Sequence, residues 1–455
     1  MSKLSPIELP KETQSSTSRL RLLVLSNGHG EDVIAVRILR ELQQQPNAPQ
    51  IFALPLVGEG RAYQHLDIPL IGSVRSMPSG GFIYQDGRQL ARDVRGGLLQ
   101  LTINQFKAVR RWVKTQKKSG YSGKILAVGD IVPLLFAWLS GSQYAFVGTA
   151  KSEYYLRDEI GWLKRNTQAE KWEGWSGSDY LPWERWLMSR KRCKAVFPRD
   201  SLTSEILKQW KIPVFDLGNP MMDGLNPSFS SQKSYNTDNQ KQEIERPLAI
   251  TLLPGSRIPE AYANWETITV AVSALMALFR EEGFVGHTSG KVVFLAGIAP
   301  GLDCNILAET IHTQGWRIVP NQSSPIQIPD PQALTFKQKN GYIILTQSTY
   351  NDCLHLGDLA IAMAGTATEQ FVGLGKPAIT IPGEGPQFTP AFAEAQTRLL
   401  GSSVILVKQP ADVASVVKTL FNDPDKLHMI AKNGVRRMGK PGAAQRIAQC
   451  LLNVC

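Results

Sequence analysis

Apolar and polar positions change period again and again along this chain. From Leu20 onward, short apolar runs of strand character, Leu22–Leu25, Ile51–Pro55, Ile125–Val128, Tyr144–Val147 and Ala195–Phe197, are separated by stretches of helical spacing such as Val33–Gln43. Beyond Val214–Leu217 and Gly218-Asn219-Pro220, the segment Asn226–Glu245 becomes rich in Ser, Gln, Asn and Lys. A second series then follows: Leu248–Leu253, Val292–Leu295, Tyr342–Leu345, Leu359–Met363, Ala378–Ile381 and Val404–Val407. Strands alternating with helices imply parallel strands joined by crossovers. The pattern therefore predicts an α/β chain with two Rossmann-like parallel-sheet domains, at 19–220 and 247–425, facing a cleft. Residues 1–18 read as a disordered lead-in, 221–246 as a linker and 426–455 as a C-terminal helical segment. The Pro-, Gln- and Asn-rich stretch 299–339 reads as a long surface loop carrying one short βα piece.

In open sheets of this kind ligands bind outside the carboxyl ends of the strands, and three glycine turns stand at such ends. Leu252-Leu253-Pro254-Gly255-Ser256-Arg257 and Ala364-Gly365-Thr366-Ala367-Thr368-Glu369 each follow an apolar run and precede a helical stretch. Backbone N–H groups at a helix start hold anions, and an arginine fork suits phosphate oxygens. Two such turns in one domain suggest a nucleotide diphosphate; a plain strand-turn-helix junction with a threonine cap has the same residues. The third turn, Ser26-Asn27-Gly28-His29-Gly30-Glu31-Asp32, brings titratable groups instead. His29 and Glu31 suit a general base or sugar contacts, whereas Asp32 also suits a helix start, where a carboxylate meets the positive end of the dipole. Asp130, in Val128-Gly129-Asp130-Ile131, ends another apolar run and faces the same cleft if the sheet is parallel.

Composition narrows the classes. The 455 residues are 43% hydrophobic and 20% charged, which suits a water-soluble globular chain, and the net charge of +11 favours anionic partners. Five scattered cysteines without C-x-x-C spacing indicate neither a disulfide framework nor a metal site, and fit a reducing, cytoplasmic setting. Neither a signal peptide nor a spanning helix is expected, since Ile125–Leu139 is short and broken by Gly129-Asp130 and Pro133. Five of the ten tryptophans (Trp162, Trp172, Trp175, Trp183, Trp186) lie between Tyr154 and Lys194, with Arg185, Arg190, Lys191, Arg192 and Lys194. Aromatics interleaved with cations suit the headgroup level of an anionic membrane, and equally a packed insertion. No nucleic-acid motif is present, and the run Arg110, Arg111, Lys114, Lys117, Lys118 reads as a solvated helix face.

These residues together resemble the lipid-A-disaccharide synthase family of glycosyltransferases, and within it the divergent synthase-related group. The resemblance spans nearly the whole chain after the lead-in. It rests on Ser26 to Asp32 followed by Ile38-Leu39-Arg40-Glu41-Leu42, on Gly218 to Asp223, on Leu252 to Arg257, on Gln347-Ser348, and on Gly365 to Thr368 with Gly375-Lys376-Pro377. It implies a GT-B glycosyltransferase-like fold and inverting transfer from a UDP-sugar without metal or other cofactor. The acceptor would be a lipid or lipid-linked sugar reached from the N-terminal side, at the cytosolic face of a membrane. By position, Ser256 and Arg257 would contact the donor's phosphates or sugar, Gln347 the uridine end, and Gly365, Thr366, Ala367 and Thr368 the diphosphate. Asp130 falls where the family has an aspartate proposed as catalytic, and Asp32 matches the aspartate that ends its first glycine loop. The family's ribose-holding glutamate falls on Gln370, with Glu369 one place early, and His29 and Glu31 replace small residues. A UDP-N-acetylglucosamine 2-epimerase, and a non-catalytic nucleotide-sugar or anionic-lipid binding protein of the same fold, are the alternatives.

Overall fold

A computed structural model describes residues 20–74, 98–164, 174–228, 246–281 and 290–454. The expected lead-in and most of the expected linker lie outside these residues. Five strands, β1 (Leu20–Ser26), β2 (Gln50–Pro55), β3 (Ser122–Gly129), β4 (Tyr144–Gly148) and β5 (Cys193–Phe197), form one wholly parallel sheet in the order β2-β1-β3-β4-β5. Its strands are apolar without alternation because both faces are covered. Leu22 and Val24 pack with Ile34, Ile38 and Leu42 of helix His29–Gln43, while Leu23 and Leu25 pack with Val109 and Trp112 of helix Leu98–Lys118.

The second sheet has eight strands. They are β6 (Leu248–Leu253), β7 (Val292–Gly297), β8 (Arg317–Val319), β9 (Leu334–Gln338), β10 (Gly341–Thr346), β11 (Leu359–Ala362), β12 (Ala378–Thr380) and β13 (Val404–Leu406), in the order β13-β12-β11-β6-β7-β10-β9-β8. The parallel part, β10-β7-β6-β11-β12-β13, is the Rossmann order 3-2-1-4-5-6 in chain sequence. Strands β8 and β9 extend its edge antiparallel. They lie, with helix Cys304–Thr313, in the stretch read from sequence as mostly loop. Their short, Pro-flanked runs carry too little periodicity to announce themselves. Conversely, Val214–Leu217 does not join the first sheet as a strand; Val214 makes only an isolated bridge to Val196.

The two sheets share a continuous apolar core that runs from helix His29–Gln43 through Met221, Met222 and Phe371 to the last helix, Ala443–Val454. That helix crosses back onto the first domain. Asp223 fixes its start by accepting from the Gly442 and Ala444 N–H groups. The short turn Pro220–Met222 is a junction: Arg37 donates to the Pro220 and Met221 carbonyls at 2.9 and 2.8 Å, and Gln370 donates to Met221 O at 3.1 Å.

Candidate functional site

Each sheet has its reversal of strand order where the glycine turns are. In the first sheet the order reverses between β1 and β3, so the Ser26–Asn27 and Gly129–Asp130 ends flank the switch point; in the second it reverses between β6 and β11, flanked by Pro254–Arg257 and Met363–Gly365. Crevices at such points are where open α/β sheets take ligands.

On the first domain the trio predicted in a turn is already helical, since helix His29–Gln43 begins four residues earlier than its apolar spacing indicates. Glu31 and Asp32 occupy its first turn, where carboxylates are stabilised. Of the His29 side chain nothing is described; its backbone opens the helix. Glu31 is half-buried. Its carboxyl is held above the usual glutamate range, chiefly by burial and further by the nearby charge of Asp130, with Thr149 beside it and Arg257 of the other domain pulling the other way. Asp130 caps helix Ile131–Leu139 by accepting from Val132 N at 2.8 Å. Burial raises its carboxyl too, against the Val132 N–H and Asn27, which favour the charged form. Gly129, at φ 134°, makes room for this arrangement: a Cβ there would come within 2.0 Å of Asn27 Oδ1 and 3.3 Å of Glu31 Cγ.

Asp32 is closed off from solvent. It accepts from Ser26 Oγ at 2.5 Å, and through Ser26 is linked to the buried Tyr63 hydroxyl at 2.6 Å. Burial pushes its carboxyl up to about 7. It is a positioning group beneath β1.

On the second domain, Asn264 ties the two turns together by donating to Pro254 O at 3.0 Å and Met363 O at 3.2 Å. Gly255, at φ 96°, lets the turn lie against Met363 O, 3.3 Å from where a Cβ would sit. Ser256 is exposed, and Arg257 is half-buried, its guanidinium less basic than usual through burial, with Glu260 and Glu31 countering. Helix Thr366–Gly373 starts at Gly365 without a side-chain cap, which leaves its first N–H groups open toward an anion. Of the hydroxyls expected there, Thr366 is exposed, with Ala367 half-buried next to it. Thr368 is turned inward and donates to Ala364 O at 2.5 Å, as threonines one helical turn on commonly do, so it is not free for a phosphate. Gln347 donates to Ala299 O and Leu302 O at 3.0 and 2.9 Å, which holds the loops after β7 and β10 together at the rim.

Glu369 and Gln370 are committed across the domain boundary. Glu369 pairs with Arg199 at 2.5 Å, and Arg199 also donates to Thr149 O at 3.1 Å. Gln370 accepts from Tyr350 OH at 2.8 Å in addition to its bond to Met221. The sequence reading missed Asn27, Thr149 and Arg199 as site residues. Arg199 follows β5 and Asn27 follows β1, so strand-end position is the signal that marks them.

The tryptophan-rich stretch is divided. Trp162, Trp175, Trp183 and Trp186 are exposed, whereas Tyr154 and Tyr180 are buried, and Arg185 is buried against Trp210 at 4.0 Å. Residues 165–173, with Trp172, lie outside the described ones. No described helix is long and apolar enough to cross a membrane.

No protein-family model and no curated protein sequence matches the chain. Solved structures do match in fold. MurG of Acinetobacter baumannii superposes with a TM-score of 0.53 at 14% identity, over 95% of this chain and 99% of that one. A putative UDP-N-acetylglucosamine 2-epimerase of Listeria monocytogenes gives 0.52 at 13%, over 95% of both chains. The UDP-GlcNAc 2-epimerase of Neisseria meningitidis, solved with UDP-GlcNAc bound, gives 0.50 at 14%, over 95% of this chain and 100% of that one. At such identities the likeness is one of architecture: two Rossmann-like domains in the GT-B arrangement.

Proposed function

We propose that the protein is a UDP-sugar enzyme, an inverting hexosyltransferase of the lipid-A-disaccharide synthase-like kind that serves a lipid or lipid-linked acceptor at a cytosolic membrane face. The observation that carries this reading is the pairing of the two strand-order switch points, which brings Glu31, with Asp130 near it, on the first domain within electrostatic reach of Arg257 on the second. Arg257, Ser256 and the uncapped start of helix Thr366–Gly373 form the anion-holding side, suited to a diphosphate. Glu31, raised and partly open, forms the proton-accepting side; a base tuned upward transfers protons better near neutrality. Asp130, already accepting from Val132 N, is the weaker candidate for the base and the stronger one for setting Glu31's affinity for its proton.

In the reaction, the Glu31 carboxylate takes the proton of the acceptor hydroxyl as that oxygen attacks the anomeric carbon. The bond from that carbon to the diphosphate breaks, and its electron pair leaves with UDP. Arg257 and the helix N–H groups meet the charge that develops on the leaving group, in the role usually called electrostatic stabilisation. The resemblance in sequence and the UDP-GlcNAc bound in a structure of the same architecture support the choice of uridine.

A 2-epimerase is the second reading, favoured by one feature: Glu31, on the first domain, lies within electrostatic reach of Arg257 on the second, and so within reach of the donor's own sugar. Incubation with UDP-N-acetylglucosamine and UDP-glucose, with and without membrane lipid extract, decides between the two. Acceptor-dependent UDP release that falls about 10²- to 10⁴-fold in Glu31→Gln supports the transferase. Isomerised sugar without acceptor supports the epimerase. No turnover of either donor under any condition overturns both and leaves a binding protein.

A further inference from the structure

A second feature lies on the outer face of the first domain, where helices Leu98–Lys118 and Ile131–Leu139 leave a groove of about 830 Å³ between them. Its floor is aliphatic and aromatic: Ile103, Phe106, Leu135 and Leu139. Helix Ile131–Leu139 bears no charge, and its Leu135 and Leu139, one helical turn apart, are each 38% exposed, alongside Ile103 at 48%. Burying these groups would be favourable, and nothing in the described chain covers them. The rim is cationic. Lys107, Arg110, Arg111, Lys114 and Lys118 line it from helix Leu98–Lys118, which has no acidic residue. The run that sequence alone assigns to a solvated face thus borders an apolar one.

The face continues sideways. Trp138 meets the exposed Trp186 edge-on at 5.2 Å, Arg190 lies 4.3 Å over the Trp186 ring, and Arg192 donates to Ser142 O just past the end of the groove helix. Two further cations thus lie near the helix that bears the exposed leucines, Arg190 beside the Trp138–Trp186 pair and Arg192 beside the helix end. A nucleic-acid groove offers exposed aromatic platforms among its cations; within this groove the exposed apolar groups are the aliphatic Ile103, Leu135 and Leu139, while Phe106 is half-buried and Phe136 buried, which fits acyl chains with phosphate headgroups above them.

We propose that this face docks the protein on an anionic lipid bilayer, with Ile103, Leu135 and Leu139 at the acyl boundary and the basic rim on lipid phosphates. Helix Ile131–Leu139 begins at the Asp130 cap, so its nine residues, at 1.5 Å each, place the cleft about 13 Å from the far end of the docking face. A lipid-borne acceptor would then reach the carboxylates without leaving the surface. The docking itself does not depend on the donor reading.

The test is co-sedimentation of the full chain with vesicles of phosphatidylcholine alone and of phosphatidylcholine mixed with phosphatidylglycerol, at low and high salt. The expected result is salt-sensitive binding to the mixed vesicles. Each cation lost should weaken it about fivefold, so Arg110→Gln with Lys114→Gln should cost about 25-fold. Leu135→Ser with Leu139→Ser should weaken it while leaving its salt sensitivity, in a variant whose circular dichroism at the assay temperature matches wild type. Wild type that ignores anionic vesicles, variants that partition like wild type, or binding of single-stranded RNA in place of vesicles would overturn the proposal. UDP titration of the same samples separates this from the donor site: vesicle binding without UDP binding keeps the docking face and removes the donor reading.

Discussion

The ion pair between Arg199 and Glu369 is the test of how the two domains are held. Arg199 follows the last strand of the first sheet, Glu369 lies in the helix after β11, and their side chains are only 5% and 11% exposed. Burial works against the Arg199 charge, yet Glu369, Tyr155 and Asp200 outweigh it and hold the guanidinium charged. Removing one member strands the other charge in a protein interior, a loss of about 3–5 kcal/mol, while replacing both by apolar groups of similar volume is nearly neutral. Arg199→Ala also frees Thr149 O from its 3.1 Å bond. For domains of this size each kcal/mol shifts melting by about 2–4 °C, so Arg199→Ala should lower the transition by about 6–20 °C. The double variant Arg199→Met, Glu369→Leu should recover most of that. Scanning calorimetry measures it on wild type, Arg199→Ala, the two single variants Arg199→Met and Glu369→Leu, and their double variant. A single variant that melts within about 2 °C of wild type, or a double variant as unstable as the single, would refute the claim that this pair is a buried, mutually dependent contact.

Asp32 offers a pH test. Its carboxyl is raised to about 7 in the folded chain, so between pH 4 and 7 the folded state holds a proton that the unfolded chain has lost. That contribution is full below about pH 4 and disappears as pH rises through 7; at about 1.4 kcal/mol per pH unit it amounts to at most about 4 kcal/mol. Denaturant titrations should therefore show a slope in wild type that Asp32→Asn flattens. Gly129→Ala should abolish turnover and lower stability together, because the new methyl would collide with Asn27 and press on Glu31; turnover near wild type would show that this corner tolerates movement. The acid limb of kcat/KM should lie above the ordinary glutamate value of about 4.3, since Glu31 must be deprotonated to act and its pKa is raised.

The positions of the longer strands were within reach of sequence because each of these apolar runs is buried and the glycine turns follow such runs; the alternation alone carried the two Rossmann-like domains, but not the order of strands within each sheet. The antiparallel edge β8–β9 was not, since its strands are three and five residues long and pair with a neighbour the sequence does not mark. Turns could be read as anion holders, but the inward rotation of Thr368 follows from helix geometry that begins only at Thr366. The commitment of Glu369 to Arg199 lies 170 residues away in the chain, a distance over which spacing conveys nothing. Likewise the basic run of helix Leu98–Lys118 is ordinary by composition, and only the packing of Leu135 and Leu139 beside it makes a face.

The central claim is that a uridine diphosphate group sits between the Gly255–Arg257 turn and the start of helix Thr366–Gly373. Calorimetric titration with UDP, GDP, UMP and a panel of UDP-sugars, for wild type and Arg257→Ala, tests it most directly. The account predicts selective UDP and UDP-sugar binding that weakens at least tenfold, about 1.4 kcal/mol, without Arg257. Absence of nucleotide binding, or binding indifferent to Arg257, would contradict it.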